Sequence, residues 1–263
     1  MSRIREAFTH GKAFIPFITA GYPDLQTTRE VVRAAQEGGA DLIELGIPFS
    51  DPTAEGPVIQ TANVIALQGG ITTDKVLDFV KDLREKQGIT VPLVFMTYAN
   101  VVYSYGKGGA EAFLSRARDA GIDGLILADV PFEEKEEFDP LCREAGIDLI
   151  SMIAPTSEER IRMIAESSTG FLYVVSSLGV TGVRSEIRTD IGTITEKIRS
   201  FTDTPCAVGF GISTPEMARK MAEVSDGAIV GSAIIKLIAE SGKDAAPRVG
   251  AYVKAMKDAI RDL

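Results

Sequence analysis

Apolar residues along this chain alternate between two textures. Short β-branched runs occur at 13–19 (AFIPFIT), 41–45 (DLIEL), 93–98 (LVFMTY), 124–129 (GLILAD), 148–153 (DLISMI), 171–176 (FLYVVS), 205–210 (PCAVGF) and 227–231 (GAIVG). Nearly continuous apolar runs of this length are what parallel strands show when both faces are covered. Between them lie longer stretches with apolar residues three and four apart, such as 24–39, 110–121 and 214–225. That spacing predicts amphipathic helices. Asp24, Ser157 and Thr214, the last followed by Pro215, are placed to cap helix starts, and Gly38, Gly121 and Gly146 to end them.

Eight strand–helix alternations in 263 residues predict a (β/α)8 TIM barrel, with residues 1–263 as one domain and no linker-like break in composition. An N-terminal helix in MSRIREAFTHGKAF would precede it. The alternative, a doubly wound open sheet, wants a Gly-rich fingerprint after its first strand, and FITAGYPD lacks one. The connection from Leu45 to Leu93 is long enough for an extra helix at 57–68. Extra length after a strand falls on the face where barrel enzymes work.

Composition narrows the chemistry. The chain is 45% hydrophobic and 25% charged, with net charge −9, which argues against a nucleic-acid partner. No apolar run suits a membrane span, and the N-terminus does not read as a secretory signal. Cys142 and Cys206 lie far apart, as expected of buried thiols in a reduced cytoplasmic protein. The single histidine, His10, precedes the first strand, so a catalytic metal site with several His ligands is not expected. No Lys lies on or just after a strand except Lys236, inside a helical pattern, so a Schiff-base mechanism is not expected either.

Candidate chemistry sits at the C-terminal ends of the strands: Thr19, Glu44, Tyr98, Asn100, Asp129 and Tyr173. Glu44 closes an apolar run, where partial desolvation would raise its pKa toward proton transfer. Asp51 and Glu55 follow in a proline-stiffened loop and are expected to be solvated by default. Asp129 would orient a neighbour or cap a helix starting near Phe132. The segments GFGIS (209–213) and GSAIIKLIAESG (231–242) follow the last two strands, the second as a short helix from Ser232. Gly211, Gly231 and Ser232 there would present backbone N–H groups, a helix N-terminus and a hydroxyl to a phosphate. The polar, glycine-punctuated stretch 176–190 reads as a lid.

These segments closely resemble the alpha subunit of tryptophan synthase. IELGIPFSDPTAEGPVIQ resembles that family's signature, and PFITAGYPD, LADVP, GVTG, GFGIS and GSAIIK follow in the family's order from about residue 11 to the C-terminus. The resemblance implies retro-aldol cleavage of indole-3-glycerol phosphate to indole and glyceraldehyde 3-phosphate, a carbon–carbon lyase step of tryptophan biosynthesis. It implies Glu44 and Glu55 as catalytic acids, the first moving protons and the second accepting the indole N–H. It implies phosphate contacts from Gly182, Phe210, Gly211, Gly231 and Ser232. The substrate pocket would take in Phe17, Met96, Tyr98, Ile126, Asp129, Ile153, Tyr173 and Ile229, and Thr181 would close with the lid. Asp51, Pro52 and Pro131 would face a beta subunit in an alpha2beta2 heterotetramer, with pyridoxal phosphate in that partner and no cofactor or metal in this chain. Two positions depart from the family's common pattern: Glu55, where AEGP replaces ADGP, and Ser177, where many relatives have Arg. Two other functions fit a barrel of this kind, a phosphate-sugar isomerase or epimerase and a non-catalytic regulator of the beta subunit. The first usually needs a Lys, or paired Asp residues on the first and fifth strands, which this chain lacks.

Overall fold

A computed structural model describes residues 2–175 and 191–263. Among the described residues nine strands, all parallel, run β1 (Ala13–Thr19), β2 (Ile43–Gly46), β3 (Leu93–Thr97), β4 (Gly124–Leu127), β5 (Asp148–Leu149), β6 (Ser151–Ile153), β7 (Leu172–Val175), β8 (Cys206–Gly209) and β9 (Gly227–Val230). Their order is β5-β4-β3-β2-β1-β9-β8-β7-β6. The expected fifth strand at 148–153 is thus two pieces split at Ile150. β5 pairs only with β4 and β6 only with β7, and the Ile150 N–H donates to Leu125 O at 2.9 Å across the break. One continuous segment therefore hands the ladder from β4 to β7, and the eight strand positions close into a (β/α)8 barrel.

The expected run at 41–45 starts later, at Ile43, because Asp41 is committed elsewhere. Its carboxylate accepts from the Phe14 N–H at 2.7 Å and from Lys257 Nζ at 2.7 Å, tying the first two strands to the C-terminal helix Ala245–Asp258. Asp24, Ser157 and Thr214 cap their helices as expected, accepting from the N–H of Thr27, Arg160 and Met217. Gly121 and Gly146 end theirs with φ of 92° and 70°. Gly38 does not use left-handed freedom; it stays at φ −73° and Gly39 turns instead. What Gly38 supplies is closeness, since a Cβ there would lie 2.7 Å from Gly250 O in the C-terminal helix.

The N-terminal helix is short, Arg3–Glu6, and seals the barrel's lower end. Ile4 is fully buried, so near β4 that a Cβ on Gly124 would lie 2.7 Å from its Cδ1. At the opposite end, the helices beyond the one-per-strand plan include the short Ala99–Tyr103 after β3 and two longer ones. Of the longer two, Pro57–Gln68 follows β2 and Ser232–Ser241 follows β9. They pack on each other and on β1, burying Ile59, Ile234 and Ile235. Each such side chain stabilises by about 1.5–3 kcal/mol. Together these helices wall one side of the C-terminal mouth.

Candidate active site

β2 carries Glu44 into the barrel interior, beside Phe17 of β1 and Val94 of β3 in register. The side chain is fully buried, and neither carboxyl oxygen has a hydrogen-bond partner among the described residues. Burial alone pushes its pKa up to about 8, so the group is mostly a neutral acid at pH 7. The sequence called for partial desolvation; the structure makes it complete. The cavity that Glu44 faces, about 30 Å³, is lined also by Phe17, Met96, Tyr173, Ile229 and the segments Phe210–Ile212 and Gly231–Ser232.

The glycines around this cavity permit close approaches. A Cβ on Gly209 would sit 2.3 Å from the Tyr173 hydroxyl, and one on Gly46 would sit 2.6 Å from the Phe17 ring. Both aromatic rings reach the interior because those positions are bare. Phe210 holds φ of 72°, a left-handed conformation unusual for a non-glycine residue, and Gly211 follows at 84°. This kink sets the Phe210 ring edge-on to Tyr173, with centroids 6.1 Å apart. Gly231 is the N-cap of helix Ser232–Ser241, so the first N–H groups of that ten-residue helix open beside the cavity, as an anion site requires.

Glu55 is not the solvated loop acid expected. It is buried, accepts from Asn63 Nδ2 at 2.6 Å, and is hydrogen-bonded by the Tyr98 hydroxyl. Desolvation raises its pKa to about 7, and those two hydrogen bonds hold it below where burial alone would put it. Tyr98 in turn accepts from the Ala54 N–H at 3.2 Å and stacks on Phe49 with centroids 5.1 Å apart. A loop acid, a helix amide and a strand-end phenol are therefore clamped together. Asn63 was not singled out in the sequence. Its signal is a lone amide on the otherwise apolar buried face of helix Pro57–Gln68.

Other expected pocket residues fall elsewhere. Ile126 is in register with Met96 and fully buried, and is not among the residues that line the cavity. Ile153 pairs with Val174, whereas Met152 pairs with Tyr173, so Ile153 lies on the opposite strand face from Tyr173. Asp129 does not cap the 3-10 helix Phe132–Glu137, which starts without a side-chain cap. Its carboxylate is exposed and accepts from the Ala99 N–H at 2.9 Å, holding the start of helix Ala99–Tyr103. Ile59 and Ile212 line the cavity without having been expected. Asp51 and Pro131 are exposed, and Pro52 is half-buried. Thr181, Gly182, Ser177 and the expected lid at 176–190 lie outside the described residues. Cys142 and Cys206 are buried free thiols, and His10 is exposed. Among the described residues no cluster of His, Cys, Asp and Glu is arranged to hold a metal, and no helix is long and apolar enough to cross a membrane.

A parallel (β/α)8 barrel with a buried acid at its C-terminal mouth, facing glycine turns and a helix N-terminus, belongs to the class of barrel enzymes that work from their strand ends. Comparison with known proteins makes the assignment specific. The family described as tryptophan synthase alpha chain matches residues 5–261. The tryptophan synthase alpha chain of Lacticaseibacillus casei is 44% identical over 260 residues, covering 99% of this chain and 96% of its own. The solved alpha subunit from Legionella pneumophila superposes with a TM-score of 0.89 at 37% identity, covering both chains fully (100% of each). A chain of the tryptophan synthase complex from Pyrococcus furiosus gives a TM-score of 0.85 at 34% identity, over 95% of this chain and 100% of that one. The chain belongs to the tryptophan synthase alpha chain family.

Proposed function

We propose that the barrel mouth cleaves indole-3-glycerol phosphate by a retro-aldol reaction, releasing indole and glyceraldehyde 3-phosphate. The observation that carries this reading is Glu44, a carboxylic acid kept neutral by burial and free of hydrogen-bond partners among the described residues. A retro-aldol step needs somewhere for the electrons of the breaking C–C bond to go. Protonation of indole C3 makes the substrate its own sink. Neutral Glu44 donates that proton, and a cation develops across the indole nitrogen. The resulting carboxylate then takes the proton of the glycerol 3′-hydroxyl. As the C3–C3′ bond breaks, its electron pair restores the indole, the carbonyl of glyceraldehyde 3-phosphate forms, and Glu44 is again protonated.

Glu55 supplies the opposing charge. Ionised, it accepts the indole N–H and stabilises the cation electrostatically, and Asn63 and Tyr98 hold its carboxylate for that task. The phosphate docks at the backbone N–H groups around Gly211, Gly231 and Ser232, with Phe210 shaping the turn and Gly182 completing the set. Phe17, Met96, Tyr173 and Ile229 form the apolar walls; Tyr98 acts through Glu55 and Asp129 through the neighbouring loop. Indole needs more room than about 30 Å³, so productive binding turns the Phe17 and Phe210 rings aside.

Indole passes to a beta subunit bound across the C-terminal face, where Asp51, Pro52 and Pro131 stand, in an alpha2beta2 assembly working in the cytoplasm. Pyridoxal phosphate belongs to that partner's chemistry. The complex that supplied the similar Pyrococcus chain supports this reading. The deciding assay measures indole release from indole-3-glycerol phosphate, with and without a beta subunit. Release in either condition, faster with the partner, is expected; none in both would refute the reading.

A further inference from the structure

A second cavity, about 450 Å³, shares no lining residue with the one that Glu44 faces; it lies between the segment that follows β4, Pro131 included, the β5–β6 segment and helix Glu158–Glu166. The cover there is thin, with only the 3-10 helix Phe132–Glu137 and the short helix Asp139–Ala145 between β4 and β5. The walls are mostly apolar, from Leu127, Phe132 and Ile164, with hydroxyls from Ser151 and Thr156. Its size is ordinary for a small-molecule site.

Two cations line this cavity, Lys135 and Arg160, and they differ in their partners. Lys135 is 9% exposed. Its ammonium donates to Ser167 O at 2.8 Å, Ser151 Oγ at 3.3 Å and Ser167 Oγ at 3.5 Å, all neutral oxygens. Among the described residues no carboxylate lies within ion-pair distance of it. Asp139, whose field reaches Lys135, is bound to Arg143 at 2.7 Å. Arg160, also in the lining, is held by both oxygens of Glu133 at 2.5 and 3.0 Å. Buried charges are normally paired, because an uncompensated one is costly. Here a buried ammonium faces an apolar cavity with no anion supplied from the described protein.

We propose that this cavity binds a small amphipathic carboxylate, its anionic head on Lys135 and the Ser151 hydroxyl and its aromatic or branched apolar body against Leu127, Phe132 and Ile164. The site is separate from Glu44 and does not depend on the lyase reading.

The test titrates the full chain with 3-phenylpropionate and with the uncharged 3-phenylpropanamide by ligand-observed NMR. Glycerol 3-phosphate is present at saturation to occupy the mouth. With about 11 heavy atoms, the acid is expected to bind with Kd on the order of 1 mM, and the amide at least about tenfold more weakly. Lys135→Met should weaken the acid by about tenfold or more while leaving the amide unchanged, and Lys135→Arg should retain binding. Met approximates the length of Lys and removes a buried charge, so that variant should keep its thermal transition. Equal affinity for acid and amide, undiminished binding to Lys135→Met, or no saturable binding of the acid would each overturn the proposal.

Discussion

Glu44 and Glu55 are both carboxylates raised by burial, but they stand in different surroundings and so have different uses. Among the described residues Glu44 meets no hydrogen-bond donor, and it titrates at about 8; Glu55 meets two and titrates at about 7. The proposed chemistry needs the first protonated and the second ionised. The profile of kcat/KM for indole release should therefore be a bell, falling below about pH 7 as Glu55 takes up a proton and above about pH 8 as Glu44 loses one. A rate flat from pH 6 to 9 would contradict both assignments. Asn63→Ala removes a donor that lowers the Glu55 pKa. Its acid limb should move to higher pH, and the strained pocket should cost about 1–3 kcal/mol of stability, read by denaturant unfolding. An unmoved limb would show that Asn63 does not tune Glu55. From the sequence, Glu44 could be placed because a strand end fixes where a side chain points. The burial of Glu55 could not, because it depends on Asn63, eight positions on, and on Tyr98 from a different element.

At the scale of elements, the strand windows were readable because parallel strands covered on both faces are simply apolar. The helix starts followed their caps, and the extra helix at 57–68 matches Pro57–Gln68. What local pattern does not carry is handover and proximity. The break at Ile150 arises because one segment must pair with β4 below it and β7 above it. The displacement of Ile153 from the Tyr173 face follows from that register and not from its own hydrophobicity. Asp129 serves the helix Ala99–Tyr103, some 30 residues earlier, rather than the turn that follows it. Close approaches are equally invisible. Gly209 is bare because Tyr173 lies against it, so Gly209→Ala should push that ring aside. A loss of about 1–3 kcal/mol is expected, with a matching drop in kcat/KM; wild-type stability and activity would show that the contact relaxes without cost.

For the molecule as a whole, holding neutral acids inside the barrel makes stability depend on pH. Glu44 and Glu55 have folded-state pKa values above their unfolded value of 4.5. Between about pH 4.5 and 8 the native state therefore binds more protons than the unfolded chain, and stability falls as pH rises through that window. The slope ends once both groups are ionised in the native state as well. Thermal unfolding of the wild type should weaken from pH 6 to 8.5, by at most a few kcal/mol, and Glu44→Gln should flatten the dependence. An identical slope in that variant would show that Glu44 is not the buried proton. The barrel and its active end were legible in the sequence because strand order and burial leave few closed arrangements. The second cavity was not, since it arises where a strand breaks and a 3-10 segment with a helix of only seven residues takes the place of a longer helix.

The most direct test of the central claim is single-turnover cleavage of indole-3-glycerol phosphate by Glu44→Gln, alongside its affinity for an analogue lacking the 3′-hydroxyl. Gln keeps the shape and cannot give up a proton. Cleavage should fall by about 10²–10⁴-fold with analogue affinity nearly unchanged. Cleavage within a few-fold of the wild type would mean that Glu44 does not move the proton.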